Sequence, residues 1–248
     1  VSDYLYGLHA VQTSLERSPD DVLELWVDAK RHDQRISSIL QLAKAAGITV
    51  HSVDKRELES RAPNGRHQGV VASAAPPRVY SEAELGALLD KLDEPPFLLI
   101  LDGVTDPHNL GACLRSADAA GVQAVIAPKD RAASLTPTVI KVASGAAQTV
   151  SFVQVTNLAR CLRDLKERGI WLVGLDGYAD QTVYDTDLKG PLAIVMGAEG
   201  QGLRRLSKEH CDYLVNIPMA GTVESLNVSV ATGVCLFEAL RQRNKDRD

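Results

Sequence analysis

The sequence predicts an α/β fold in two parts. Short apolar, β-branched runs alternate with amphipathic stretches along the chain, the pattern of strands covered by helices. Proline pairs at Pro76-Pro77 and Pro95-Pro96 separate a short first part from a longer second one. At 248 residues, 45% hydrophobic and 24% charged, the chain can bury a substantial core in one or two domains.

The first part, residues 1–75, opens with a helix around Leu8 to Leu15, a strand at Leu23 to Val27 and a helix at Ile36 to Ala46. A strand at Thr49 to Val53, a short helix at Arg56 to Arg61 and a strand at Gly69 to Ala72 complete a small α/β domain. Residues 76–96 read as a linker holding one acidic amphipathic segment, Ser81 to Asp93. In the second part, 97–248, strands at Phe97 to Asp102, Ala124 to Ala127 and Val150 to Val155 alternate with helices at Ala112 to Ala120, Pro137 to Ser144 and Leu158 to Arg168. Strands at Ile170 to Leu175, Leu192 to Met196 and Tyr213 to Ile217 follow, with helices at Leu203 to Glu209 and Leu226 to Arg243. Such alternation implies a mostly parallel sheet with helices on both faces, whose ligands gather at the C-terminal strand ends.

Composition removes several function classes. The longest apolar runs, such as Phe97 to Leu101, are far too short to cross a bilayer, and no basic segment precedes a signal-like core, so a cytoplasmic protein is expected. Cys113, Cys161, Cys211 and Cys235 are widely spaced, without a CxxC pair or a Cys/His cluster, which gives no support for a metal site or a disulfide framework. The net charge is −5, with 9 basic against 10 acidic residues up to position 75 and 18 against 22 after it. Neither part is basic, so any nucleic-acid role rests on local clusters such as Arg66-His67. No G-x-S-x-G elbow or H-E-x-x-H pair marks a hydrolase.

Three strand ends carry the polar residues. Asp102-Gly103-Val104-Thr105-Asp106-Pro107-His108-Asn109-Leu110-Gly111 turns a strand into a helix bearing Arg115, with Asn109 suited to the helix start. Gly197-Ala198-Glu199-Gly200-Gln201-Gly202 sets one carboxylate among three glycines; it is G-x-x-G-x-G, unlike the dinucleotide or Walker fingerprints. It fits either close backbone approach to a ligand or a plain turn. Ile217 to Ala231 breaks a strand at Pro218, turns at Gly221 and restarts as a helix behind Ser225, a good capping residue. This stretch fits either a capped helix or a ligand site offering free N–H groups.

In this order, the three segments resemble the three motifs of the SpoU/TrmH family of RNA ribose 2′-O-methyltransferases, within the SPOUT superfamily. The likeness covers roughly residues 95 to 248, while the first part resembles the small L30e-like substrate-binding domain of many members. Tyr6-Gly7-Leu8-His9-Ala10-Val11 and His67-Gln68-Gly69-Val70-Val71-Ala72 are similar to the members that methylate one guanosine of 23S rRNA. The resemblance implies a C-terminal trefoil knot, S-adenosyl-L-methionine as methyl donor and a homodimer formed through the knotted domain. It assigns the cofactor to Gly197, Ile217, Met219 and Leu226, and the chemistry to Asn109, Arg115, Glu199, Ser225 and Asn227. It implies neither a metal nor a membrane, and it leaves the first part to capture RNA or to serve assembly.

Overall fold

The computed structural model describes residues 3–63 and 66–244; expectations for residues 1, 2, 64, 65 and 245–248 lie outside the described residues. The chain forms two compact units, Val1–Pro77 and Arg78–Asp248. In the first, β1 (Asp3–Tyr6), α1 (Leu8–Arg17), β2 (Val22–Asp28), α2 (Gln34–Ala45), β3 (Thr49–Val53), α3 (Lys55–Arg61) and β4 (Val70–Ala74) follow one another. The sheet order is β1-β4-β2-β3, with β4 antiparallel to both neighbours and β2 parallel to β3. Asp33 starts α2 by accepting the N–H groups of Arg35 and Ile36, and Asp54 starts α3 through that of Glu57. One sheet face buries Leu5, Leu25 and Val27 with Val11 and Ile39; the other packs Trp26 and Val71 with Leu58. Strand β1 is an addition to the expected elements: only Leu5 of its tyrosine-flanked run faces the core.

The second unit runs β5 (Val79–Tyr80), α4 (Glu82–Leu89), β6 (Phe97–Asp102), α5 (Pro107–Ala120), β7 (Ala124–Pro128), α6 (Pro137–Ala143), α7 (Ala146–Thr149) and β8 (Ser151–Val155). It continues with α8 (Leu158–Glu167), β9 (Trp171–Leu175), β10 (Gln181–Thr182), β11 (Leu192–Gly197), α9 (Arg205–His210), β12 (Tyr213–Asn216) and α10 (Val228–Asn244). The eight strands lie in the order β10-β12-β9-β11-β6-β7-β8-β5, and every pairing is parallel. Both faces are covered, as successive residues of β6 show. Leu99 and Leu101 share a core with Leu110, Leu114 and Leu236, while Leu98 and Ile100 share one with Leu85, Leu162 and Leu165.

Residues 78–96 differ from a free linker. Val79–Tyr80 pairs with β8 as an edge strand, Leu85 is buried, and α4 is closed by a capping box between Ser81 and Glu84. The acidic surface of this segment hid the apolar face that docks it. No helix among the described residues is long and apolar enough to cross a membrane.

Candidate active site

Because the sheet is parallel, β6, β11 and β12 deliver all three polar segments to one edge. Strands β6 and β11 are neighbours, with Asp102 opposite Gly197. From β6 the chain builds outward to β7 and β8, then returns to β9 and β11 on the other side. This pair therefore marks the reversal of strand order, where open α/β sheets hold their ligands.

The first segment enters α5 through Asp106, whose carboxylate accepts the His108 N–H at 2.8 Å, and through Pro107, whose missing N–H costs nothing in a first turn. Asn109 is thus not the cap its type suggested. It lies inside the helix, 8% exposed, with its side chain spent on the site. Gly111 lets α6 approach: a Cβ here would stand 2.7 Å from Val142 Cβ and 2.9 Å from the Val139 carbonyl oxygen.

The second segment is a closed hairpin. Ala198 donates to the Gly202 carbonyl at 3.1 Å, and Gly202 donates back at 2.8 Å. Gly200 and Gly202 hold φ of +76° and +67°, the left-handed region. A Cβ on Gly197 would lie 2.0 Å from the Gly202 carbonyl carbon, so its close approach is to the loop's own backbone. These glycines present Glu199, which is exposed.

Two further residues tie these loops together. Asp102 is fully buried; its Oδ2 accepts the Arg204 N–H at 2.9 Å, and Arg204 Nη1 stands 3.5 Å from Oδ1. The guanidinium lies over Gly103, where a Cβ would be 2.9 Å from Nη2. The available signal was a carboxylate ending the apolar run Phe97 to Leu101, although its partner lies far along the sequence.

The third segment, residues 217–227, has no regular structure. Among the described residues, none of its backbone N–H groups finds a protein acceptor, so the stretch is rich in unspent donors. Ile217 and Leu226 pack partly buried on the core beside it, and Met219 is half-buried. Helix α10 begins at Val228, the first buried side chain of this stretch, and the Asn227 carbonyl accepts the Ala231 N–H, so Asn227 and not Ser225 is its cap. Asn227 Oδ1 accepts the Ser229 N–H at 2.9 Å and its hydroxyl at 2.6 Å.

The other end of that amide closes the site. Asn227 Nδ2 donates to Asn109 Oδ1 at 3.0 Å and to Glu199 Oε1 at 3.4 Å, while Asn109 Nδ2 donates to Glu199 Oε2 at 3.2 Å. One residue from each segment forms a triangle, leaving the exposed carboxylate able to accept from a hydroxyl or an amine. Ser225 and Arg115 do not join it. Both are exposed and have no side-chain partner among the described residues. Arg115, six residues after Asn109 on α5, is displaced by about 9 Å along the helix and about 120° around it. No group of three His, Cys, Asp or Glu among the described residues could hold a metal ion.

Known proteins resemble this chain in sequence and fold. Residues 96–237 match the model of the SpoU rRNA Methylase family, and residues 4–80 match that for RNA 2′-O ribose methyltransferase substrate binding. The chain is 57% identical over 241 residues to 23S rRNA (guanosine-2′-O-)-methyltransferase RlmB of Shewanella oneidensis, covering 97% of this chain and 98% of that protein. Identity to RlmB of Escherichia coli K12 is 54% over 244 residues, covering 98% and 100%. The crystal structure of the SpoU methyltransferase AviRb from Streptomyces viridochromogenes with AdoMet superposes with a TM-score of 0.66 at 26% identity, over 98% of this chain and 90% of that one. With its three strand-end segments inside the first of these matches and its smaller unit covered from residue 4 onward by the second, the chain belongs to the SpoU rRNA methylase family.

Proposed function

We propose that the chain transfers a methyl group from S-adenosylmethionine to the ribose 2′-hydroxyl of a guanosine in 23S rRNA, acting in the cytoplasm as a homodimer. The observation that carries this reading is the Asn109–Glu199–Asn227 triangle beside the unspent N–H groups of residues 217–227. The relatives that match nearly the whole chain are 23S rRNA (guanosine-2′-O-)-methyltransferases, which supports the same chemistry here.

The residues fit the cofactor. A purine needs apolar cover for its faces and donors and acceptors for its edge; Ile217, Met219 and Leu226 offer the first, the main chain around Gly197 and residues 217–227 the second. When bound, S-adenosylmethionine supplies an electrophilic methyl group. Asn109, Glu199 and Asn227 hold the loops that aim the hydroxyl, with the Ser225 hydroxyl available at the same segment. A guanidinium offers a planar fork of donors and no acceptor, so the role of Arg115 is bidentate capture of an adjacent RNA phosphate and stabilisation of the developing alkoxide. The phosphate or water takes the proton.

Assembly explains why Arg115 stands apart. Helix α10 exposes Val230 (53%) and Phe237 (48%) seven residues apart, and it packs beside α5 through Cys113 and Thr232. In this reading two copies meet on that face, each supplying Arg115 to the other's methyl site, and the C-terminal segment threads a backbone loop as a trefoil knot. The first unit captures RNA. Incubation with labelled S-adenosylmethionine and separate 23S rRNA and tRNA pools, followed by mapping of the product, tests the reaction. A single 2′-O-methylguanosine in 23S rRNA is expected; label confined to tRNA or to a base atom would overturn it.

A further inference from the structure

A cleft of about 760 Å³ in the first unit takes no part in the methyl site. Asp28, Arg31, Lys55, Glu59, Arg66 and His67 line it. Arg31 is a fixed wall: its Nε pairs with Asp33 at 2.7 Å, Nη1 donates to the Gln68 carbonyl, and its stem crosses Gly69, where a Cβ would lie 2.7 Å from Arg31 Cδ. The turn is also fastened to α1, since Gln68 Oε1 accepts the Leu8 N–H at 3.2 Å. Buried His67 accepts the Gly69 N–H on Nδ1 at 3.1 Å, which fixes the ring against the turn. Such walls are built before a ligand arrives, which lowers the ordering cost of binding.

The charges left over are of both signs. Arg66 is exposed without a side-chain partner among the described residues, and Lys55 has only a 3.6 Å pair with exposed Glu59. Asp28 spends Oδ1 on the Lys30 N–H at 3.0 Å; among the described residues its other oxygen is unspent. Inorganic phosphate alone would face two carboxylates, and a neutral sugar would leave the cations idle. A nucleotide uses both sets. Guanine carries a ring N–H and an amino group side by side on one edge, the donor pair that a carboxylate accepts best.

We propose that this cleft holds one unstacked guanosine nucleotide of the RNA substrate, other than the reacting one. Its phosphate lies toward Arg66 and Lys55, and its base edge toward Asp28 and Glu59. This rests on the RNA-substrate reading above, and it gives a chain of net charge −5 a local rather than a diffuse hold on RNA.

Two measurements on the full chain test it. In an NMR titration, guanosine 5′-monophosphate should shift the Gly69 and Val70 amides at least about fivefold more tightly than adenosine 5′-monophosphate, and Asp28→Asn with Glu59→Gln should abolish that preference. Equal responses to guanosine 5′-monophosphate and inorganic phosphate would overturn base recognition, and no response would overturn the site. In methylation of a 23S rRNA fragment, Lys55→Ala with Arg66→Ala should raise KM about tenfold without lowering kcat, and reduce the salt slope by about two. An unchanged KM and slope would overturn the phosphate contacts. Should the wild-type chain leave 23S rRNA unmethylated, the proposed reaction fails, and the nucleotide titration still decides the cleft.

Discussion

Asn227 uses the two ends of one amide differently: its oxygen caps α10, and its nitrogen reaches Asn109 and Glu199. Asn227→Asp separates these tasks, because a carboxylate still accepts the Ser229 N–H and suits a helix N-terminus but cannot donate. Stability should move by less than about 1 kcal/mol, while kcat/KM falls at least about 100-fold as Glu199 and Asn109 lose their tie. Denaturant unfolding and single-turnover methylation measure the two separately, and wild-type turnover would remove the amide's donor role. Asn109, Glu199 and Asn227 were legible because each follows a readable strand. Their local duties were not: the cap moved from Ser225 to Asn227 once packing of Val228 fixed where the helix starts. Asp102 and Arg204 stayed hidden because their bond spans 102 residues, and no local pattern records it.

At the scale of elements, Gly111 sets two effects of opposite sign against each other. Alanine favours a helix interior by about 1 kcal/mol. Its Cβ, however, would sit 2.9 Å from a backbone oxygen and 2.7 Å from a β-branched carbon, neither able to swing aside. Overpacking wins, and Gly111→Ala should lower the unfolding free energy by about 1–3 kcal/mol in a denaturant titration; equal or greater stability would mean that α5 and α6 have slack. Elements with several buried residues were well marked in the sequence. Thr49–Val53 and Phe97–Asp102 agree with expectation at both ends, whereas β5 and β10, two residues each, are too short to show a period. Helix α5 starts five residues ahead of Ala112, because Asp106-Pro107 is itself the start signal.

At the scale of the molecule, burial holds all four thiols protonated, pushing Cys113 to about 11 and Cys161, Cys211 and Cys235 to about 12 from an ordinary value of 9.0. Above about pH 9 the unfolded chain loses these protons while the folded chain keeps them, so stability declines as pH rises from about 9 toward 12. Thermal midpoints across that range should fall, and iodoacetamide at about pH 8 should label Cys113, Cys161 and Cys235 only as fast as the chain unfolds. Rapid labelling of these three in the native protein would contradict the buried cores. The proposed dimer makes a separate demand. Chains carrying Arg115→Ala and chains carrying Asn227→Asp, each inactive alone, should recover about a quarter of wild-type activity after mixing and subunit exchange, since half the dimers then hold one intact site. No recovery would place Arg115 in its own chain's site.

The triangle joins positions 90 and 118 residues apart, so it closes only after the intervening sheet is in place. Methyl transfer thereby waits on the completed sheet and, in the proposed dimer, on a second copy as well. A chain whose sheet is unfinished cannot bring Asn109, Glu199 and Asn227 together. The wiring of the chain itself keeps unfinished copies from marking stray riboses.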